Sequence, residues 1–318
     1  GSGGFGALYS LAKAGTRVIL LEKNKGLGGT SVFGGVNCYE PGVCCGALHR
    51  LLAAELSKIP YDSAVYRTVP NSQLFFGTST EHDFQKYPWG LSVPDGDCDY
   101  AQTLKRCLSL TKGEASSYRR YQFEPAQMQY AMQTLLWPYR KNITLLFETE
   151  LVECCRMGRT ITEIKAVQNG ETLRIRADYF IDATGDLFLS RYAGCSVSVG
   201  TDSRNTFGEP SALETEDKRD INGVSYVFRI RKDEDPNHMD MLPTAYPCKK
   251  PVVSCFNVYP NGDINVNMLP TMKGRAYLSL GDEADAVGRD MVYGYWNWLQ
   301  KEKGLRGYRL MYVFPQPG

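Results

Sequence analysis

Apolar and polar positions repeat with two periods along this chain, and each change of period marks an element. Residues 4–14 (GFGALYSLAKA) repeat as a helix does, and Gly15 supplies a stop. The run RVILLE (17–22), with Val18 to Leu21 continuously apolar, predicts a short buried strand. Helical spacing returns at 44–57, at 124–140 and at 282–303. Pro125 falls in the first turn of the second of these, where its missing N–H costs nothing. Residues 143–147 predict a strand, and 150–180 alternate as a three-part meander (LVECCRM, ITEIKAVQNG, ETLRIRA). YFIDATGD (179–186) predicts a strand running into a glycine turn. Beyond 197 the runs are short and β-like: VSYVFRI, VVSCFNVY and DINVNML. Pro260-Asn261-Gly262-Asp263 joins the last two with hairpin chemistry. Residues 60–123 give few clear elements. The expected fold is α/β, with a discontinuous first domain and a second, mainly antiparallel part.

Composition adds a local feature. Glycine accounts for 31 of 318 residues, and 12 of them lie before residue 47. Such clustering points to backbone meeting backbone or ligand. Hydrophobic residues make up 43% and charged residues 22%, an ordinary globular balance. The net charge of +1, without a Lys/Arg cluster, disfavours nucleic acid as a partner. No apolar run reaches the ~18 residues of a membrane span. Ten cysteines form no Cys-x-x-Cys pair, and His49, His82 and His238 lie far apart, so no metal or iron–sulfur site is expected. The adjacent pairs Cys44-Cys45 and Cys154-Cys155 are read as small buried fillers, reduced, which favours a cytoplasmic location. The chain opens at Gly1 inside a motif and reads as a fragment at both ends, with a buried central strand expected before Gly1.

That motif is Gly1-Ser2-Gly3-Gly4-Phe5-Gly6, which fits G-x-G-x-x-G. The first glycine makes a tight turn, the second admits a pyrophosphate, and the third lets helix and strand pack closely. A helix N-terminus then offers free N–H groups to phosphate. Glu22 ends the following strand, at the spacing of a carboxylate that binds ribose hydroxyls. Turn, helix, strand and carboxylate together predict a dinucleotide site. Gly26-Leu27-Gly28-Gly29-Thr30 follows directly, and Ala183-Thr184-Gly185-Asp186 closes a much later segment.

These residues resemble the glutathione-reductase-like flavoprotein superfamily. The closer resemblance is to the FAD-dependent oxidoreductases that include heterodisulfide-reductase-A-like proteins. It is carried by GGTSVFGGVNCYEPG (28–42), IDATGDLFLSRYAG (181–194) and NVNMLP (265–270). It implies a Rossmann-like FAD-binding domain, a parallel sheet with a β-meander, beside an antiparallel α+β substrate domain. Gly1, Gly3, Gly4, Gly6, Glu22 and Lys23 would hold the AMP half of FAD. Gly28, Gly29, Thr30, Gly35, Val36 and Asn37 would follow the cofactor towards its ring. Leu151 and Val152 would meet the adenine through backbone, and Ala183, Thr184, Gly185 and Asp186 would turn beside the cofactor. The implied domains are 1–59 with 124–196 for FAD, and 60–123 with 197–318 for the substrate. A plain NAD(P) fold needs neither the second glycine doublet nor the distant Ala-Thr-Gly turn.

The expected function is FAD-dependent oxidation or reduction of a small organic substrate. A FAD-binding electron-transfer subunit, with a protein as electron-transfer partner, is the alternative. The dithiol of disulfide reductases is absent, because Ser31 and Val36 stand at its two positions, and Cys38 is read as packing. Tyr295-Trp296-Asn297-Trp298 is read as the packing face of a helix rather than the tryptophan pair of flavin-dependent halogenases, since Leu299-Gln300 follows instead of Ile-Pro. Asn37, Asn267 and Arg204 are the substrate candidates, with Asn205 and Glu209 beside the last. No catalytic acid or base is assigned.

Overall fold

The computed structural model describes residues 1–39, 47–58, 67–70, 73–77, 119–210, 212–219, 221–243, 246–248, 253–259 and 261–318. The calls on Cys44-Cys45, His82 and Pro260 lie outside them, as do the side chains of Cys38 and His49. The described strands are β1 (Val18–Glu22), β2 (Cys38–Tyr39), β3 (Arg67–Pro70), β4 (Gln73–Gly77), β5 (Arg119–Gln122), β6 (Ile143–Phe147), β7 (Thr149–Met157), β8 (Thr160–Gln168), β9 (Glu171–Ile175), β10 (Val227–Lys232), β11 (Val253–Val258), β12 (Ile264–Leu269) and β13 (Tyr308–Val313). The described helices are α1 (Ser2–Lys13), α2 (Ala47–Ser57), α3 (Pro125–Leu136), α4 (Phe188–Tyr192), α5 (Arg204–Phe207), α6 (Gly274–Leu280) and α7 (Ala284–Glu302). They fall into two compact units, Gly1–Gly29 with Met128–Val199, and Thr30–Gln127 with Gly200–Gly318. The expected domains carried the first segment on to residue 59, whereas the compact unit leaves it after Gly29.

In the first unit β1 and β6 pair in parallel, with Val18 opposite Ile143 and Glu22 opposite Phe147. Helix α1 buries Phe5, Leu8 and Ala12. It ends where the glycine stop is expected. Gly15 has φ +85°, Gly15 N–H donates to the Ala12 carbonyl, and Thr16 N–H donates to that of Leu11. That pair of bonds is the Schellman closure, which needs a left-handed residue at Gly15. The meander is present as the antiparallel sheet β7-β8-β9. Asn169 (φ +50°) and Gly170 (φ +80°) make its second turn, both in the left-handed conformation that suits a tight hairpin. Segment 179–183 is a correction to the sequence reading, because it is not a strand. A strand requires a ladder partner, and none of the described residues supplies one here.

The second unit is built on the five-stranded sheet β13-β10-β12-β11-β4, whose neighbours all pair antiparallel. The expected hairpin joins β11 to β12, with Gly262 at φ +84° and Asp263 N–H donating to the Asn261 side chain. One face of the sheet carries Tyr226, Phe228, Ile230, Phe256, Ile264, Val266 and Met268, and α7 covers it with Val292, Tyr295, Trp296 and Leu299. Each fully buried large side chain there stabilises by roughly 1.5–3 kcal/mol relative to exposure. The packing reading of Tyr295 to Trp298 therefore holds, with Trp296 buried and its indole N–H donating to Asp240 Oδ2 at 2.7 Å. The other face buries polar residues beside Val227: Arg229 of β10, Asn265 of β12, and Asp263 just before β12. This sheet is thus covered on both faces, by apolar chemistry on one and by paired charges and amides on the other.

Candidate functional site

The glycine motif folds as the start of α1, with Gly1 at its N-cap. An added Cβ at Gly1 or Gly3 would meet nothing within 4 Å, so the backbone there is open to an approaching group. The close helix–strand packing falls on Gly4, whose Cβ would lie 3.3 Å from that of Ala183 and 3.8 Å from the Leu20 side chain. Gly4 thereby brings the first glycine motif against the Ala183-Thr184-Gly185 turn, 179 positions later. The second glycine run arrives at the same place. Gly28 and Gly29 have φ +119° and +52°, and a Cβ on Gly29 would lie 2.7 Å from Gly1 Cα. A side chain at Gly29 would be both strained and in collision.

Glu22 stands at the C-terminal end of β1, its side chain 13% exposed. Its Oε1 accepts from the backbone N–H and the side-chain amide of Asn24, at 3.0 and 2.9 Å. Those bonds aim the other oxygen, Oε2, towards the Gly1 nitrogen at 3.6 Å. Lys23, next along, points into solvent. Leu151 and Val152 lie on β7, where the ladder with β8 shifts between Leu151 and Glu153. Val152 is the extra residue of that bulge, so its backbone leaves the ladder.

Sequence reading passed over the residue that shapes the Ala-Thr-Gly turn. Asp182 Oδ1 accepts from Thr184 N–H at 3.0 Å and its hydroxyl at 2.7 Å, and Oδ2 accepts from Ser190 N–H and hydroxyl, each at 2.8 Å. Burial works against the Asp182 charge, but the Ser190 and Thr184 donors outweigh it and hold the carboxyl below its usual range. Gly185 takes φ +80° and Leu187 φ +57° within the turn. Residues 183–186 are themselves exposed. The signal was available, since an Asp two residues before a Thr is the spacing of an Asx turn.

Thr30 to Asn37 belong to the second unit. Gly34 and Val36 N–H groups both donate to the Thr30 carbonyl, each at 3.2 Å, and close a tight turn. Gly35 has φ +75°, and a Cβ there would lie 2.5 Å from the Phe314 ring. Asn37 is 2% exposed, with both ends of its amide engaged. Its Nδ2 donates to the Ser31 carbonyl at 2.7 Å, and its Oδ1 accepts from Asn265 Nδ2 at 2.8 Å. Arg204 lies in the four-residue helix α5, exposed, and donates to the Ala212 carbonyl at 3.2 Å. Asn267 faces away from the apolar core, and its Oδ1 is buried without a hydrogen-bond partner among the described residues. Such an oxygen loses hydration and gains nothing in return, unless a ligand supplies a donor. Of the predicted residues, then, Gly1, Gly4, Glu22, Gly29 and Ala183 converge. Asn37 is drawn into a separate buried network, and Arg204 makes local contacts.

The converging residues fit FAD. A pyrophosphate requires open backbone beside a helix N-terminus, which Gly1 and Gly3 provide. A ribose requires a carboxylate at the adjacent strand end, which Glu22 provides. An adenine that reads backbone requires an N–H or C=O outside a ladder, which the Val152 bulge provides. Among the described residues no group of three His, Cys, Asp or Glu could hold a metal ion, and no helix is long and apolar enough to cross a membrane.

Solved structures share the fold at low sequence identity. A geranylgeranyl bacteriochlorophyll reductase-like protein from Thermoplasma acidophilum aligns over 99% of this chain and 62% of its own, at 14% identity and a TM-score of 0.51. A myxobacterial chondrochloren halogenase, described as FAD-dependent, aligns over 99% and 60% at 13% identity and a TM-score of 0.49. The chain therefore spans about three fifths of the length of these structures. No curated protein matches the sequence. A family model matches residues 1–318 from end to end, so that the glycines gathered around Gly1 sit in a chain that belongs to the FAD dependent oxidoreductase family.

Proposed function

We propose that the protein binds FAD through Gly1, Gly3, Glu22, Gly28, Gly29 and the Ala183–Asp186 turn, and oxidises or reduces a small organic molecule. The meeting of Gly1 with Gly29 and of Gly4 with Ala183 carries this reading. Two glycine segments and a single alanine methyl group meet at one place, as a cofactor cleft lined largely by backbone requires. Glu22 would accept from the ribose hydroxyls, with Asn24 fixing its rotamer. The α1 N-terminus would stabilise the phosphates with its free N–H groups. Bound FAD supplies hydride or electron transfer, and the protein supplies position and electrostatics. On its likeness to heterodisulfide-reductase-A-like proteins, the Thr30–Asn37 turn would follow the cofactor towards its flavin ring. The antiparallel unit would bind the substrate, with Asn267 Oδ1 as an acceptor for a substrate donor.

The test is the visible absorbance of the purified protein, with the released cofactor identified after denaturation. Bands near those of free flavin are expected, and a colourless protein that takes up no added FAD sinks the reading. A screen with artificial electron acceptors then separates the enzyme from an electron-transfer subunit. Reduction that proceeds only with a protein partner would favour the second.

A further inference from the structure

Two segments of the first unit carry positive charge with nothing opposed to it. Residues 1–21 and 125–147 contain no Asp or Glu, and their Lys and Arg residues are Lys13, Arg17, Arg140 and Lys141. The fold brings these four to one end of the parallel pair. Asn142 Nδ2 donates to the Ala12 carbonyl at 3.2 Å, from 130 positions away. The Tyr9 and Tyr139 rings meet edge to face, with centroids 5.8 Å apart. Val18 lies opposite Ile143, so Arg17 and Asn142, each one position earlier, stand together at the N-terminal edge of β1 and β6. All four cations are exposed, and among the described residues none pairs with a carboxylate. The carboxylates next in sequence, Glu22 and Glu148, lie at the far ends of the two strands, roughly 16 Å along a five-residue strand. Gly1 and Glu22 mark that far end, so the basic end is separate from the glycine cleft.

Aromatic side chains share the basic end. Trp137 is 65% exposed and follows α3 directly. Tyr130 is 57% exposed seven residues before it, while α3 buries Met128, Ala131, Met132 and Leu136 on its other side. Leu136 keeps helical angles (φ −82°, ψ −23°), so the outward face of α3 runs on through Trp137. The Arg140 guanidinium carbon lies 4.2 Å from the Trp137 ring centroid, and Lys13 Nζ lies 5.7 Å from that of Tyr9. A ring attracts a cation but does not neutralise it. Internal packing therefore accounts neither for the four charges nor for an indole left mostly in water beside them.

We propose that this end of the first unit docks on an anionic bilayer surface. Trp137 and Tyr130 would enter the boundary between headgroups and acyl chains, where an aromatic body and a polar tip are both satisfied. Lys13, Arg17, Arg140 and Lys141 would meet the lipid phosphates and carboxylates, each adding to the attraction. An acidic protein is the other class of partner that such charge attracts. Protein interfaces favour Trp, Tyr and Arg but are depleted in Lys, and two of these four cations are lysines without a carboxylate to orient them. The observations thus favour the bilayer, and the inference does not depend on the FAD reading.

The experiment is cosedimentation of the full chain with vesicles of phosphatidylcholine, alone or with about one third phosphatidylserine. Binding is expected to the acidic vesicles only, and to be lost between about 0.1 and 0.5 M salt. Brominated lipid in those vesicles is expected to quench part of the tryptophan fluorescence, and Trp137→Phe should abolish that part. Arg140→Gln combined with Lys141→Gln should weaken binding about tenfold or more. Lys232→Gln combined with Lys301→Gln makes an equal change of charge on the second unit and should leave binding as in the wild type. All of these positions are exposed, and thermal melts check that each variant is folded. Equal binding to the uncharged vesicles overturns the proposal, as does wild-type binding by the Arg140 and Lys141 variant. An equal loss in the Lys232 and Lys301 variant overturns it too, because the attraction would then belong to no one face. A chain that binds no vesicle of either composition overturns the bilayer, and its retention on immobilised polyglutamate would assign the face to an acidic protein instead.

Discussion

The two units create close approach by opposite means. In the unit of α1 and β1 the work is done by atoms left out. Gly29 lies on Gly1 with no room for a Cβ of its own, and Gly4 packs tightly against Ala183. In the unit of β10 and β12 the work is done by atoms put in. Arg229, Glu124, Asn265 and Asn37 fill the polar face of a sheet whose other face is packed with aromatics. The first device is tolerant of truncation and intolerant of growth, and the second is the reverse.

The largest effect should come from truncation in the second unit. Trp296→Ala removes a fully buried indole and its bond to Asp240, and should cost about 3–5 kcal/mol in a denaturant melt. A loss under ~1 kcal/mol would mean that this core is not the stabilising element, and the contrast between the units would fail. Next is a charge in the first unit. Glu22→Ala should weaken FAD by ~1.5–3 kcal/mol through the lost charge-assisted bond, and titration with FAD checks it. Unchanged affinity rejects Glu22 as the ribose ligand. Growth in the first unit follows. Gly29→Ala should cost ~1–2 kcal/mol for the left-handed backbone, with further loss of FAD from the collision with Gly1. If the variant binds FAD like the wild type, the glycine contact is not part of the cleft.

The smallest effect concerns the Asp182 turn. Asp182 titrates below its usual range in the folded protein. The stability it contributes is therefore complete above the unfolded carboxylate value, about pH 4, and is lost as pH falls through the lower folded value. Asp182→Asn should flatten the fall in melting temperature at acid pH while lowering the plateau at neutral pH. Parallel curves for the two proteins would remove the turn's charge from the account.

Much of this was legible from the sequence, and the reason is local. The Gly15 stop, the Asn169-Gly170 and Asn261-Gly262 turns and the α7 packing face follow from conformational preference within a few residues. So does the glycine motif itself, since a missing Cβ leaves its mark in the letters. The 179–183 segment was misread for the converse reason. Its residues have strand character, but a strand is a pairing, and no letter in YFID records whether a partner lies beside it. Asn37 was picked out as a candidate for what its amide could donate. Its surroundings, 228 positions away at Asn265, decide that the amide is already spent.

By itself, then, the sequence determined the chemistry of the first unit: a glycine turn, a strand-end carboxylate and a second glycine run, each at short spacing and each with a backbone reason. The tertiary structure alone decided that Gly29 rests on Gly1, that Gly4 makes a close contact with Ala183, and that Arg229 is wired to Asn37. The division is physical. A backbone conformation is a property of a few neighbouring residues, whereas a hydrogen bond across a sheet exists only when the whole chain has folded to bring its two ends together.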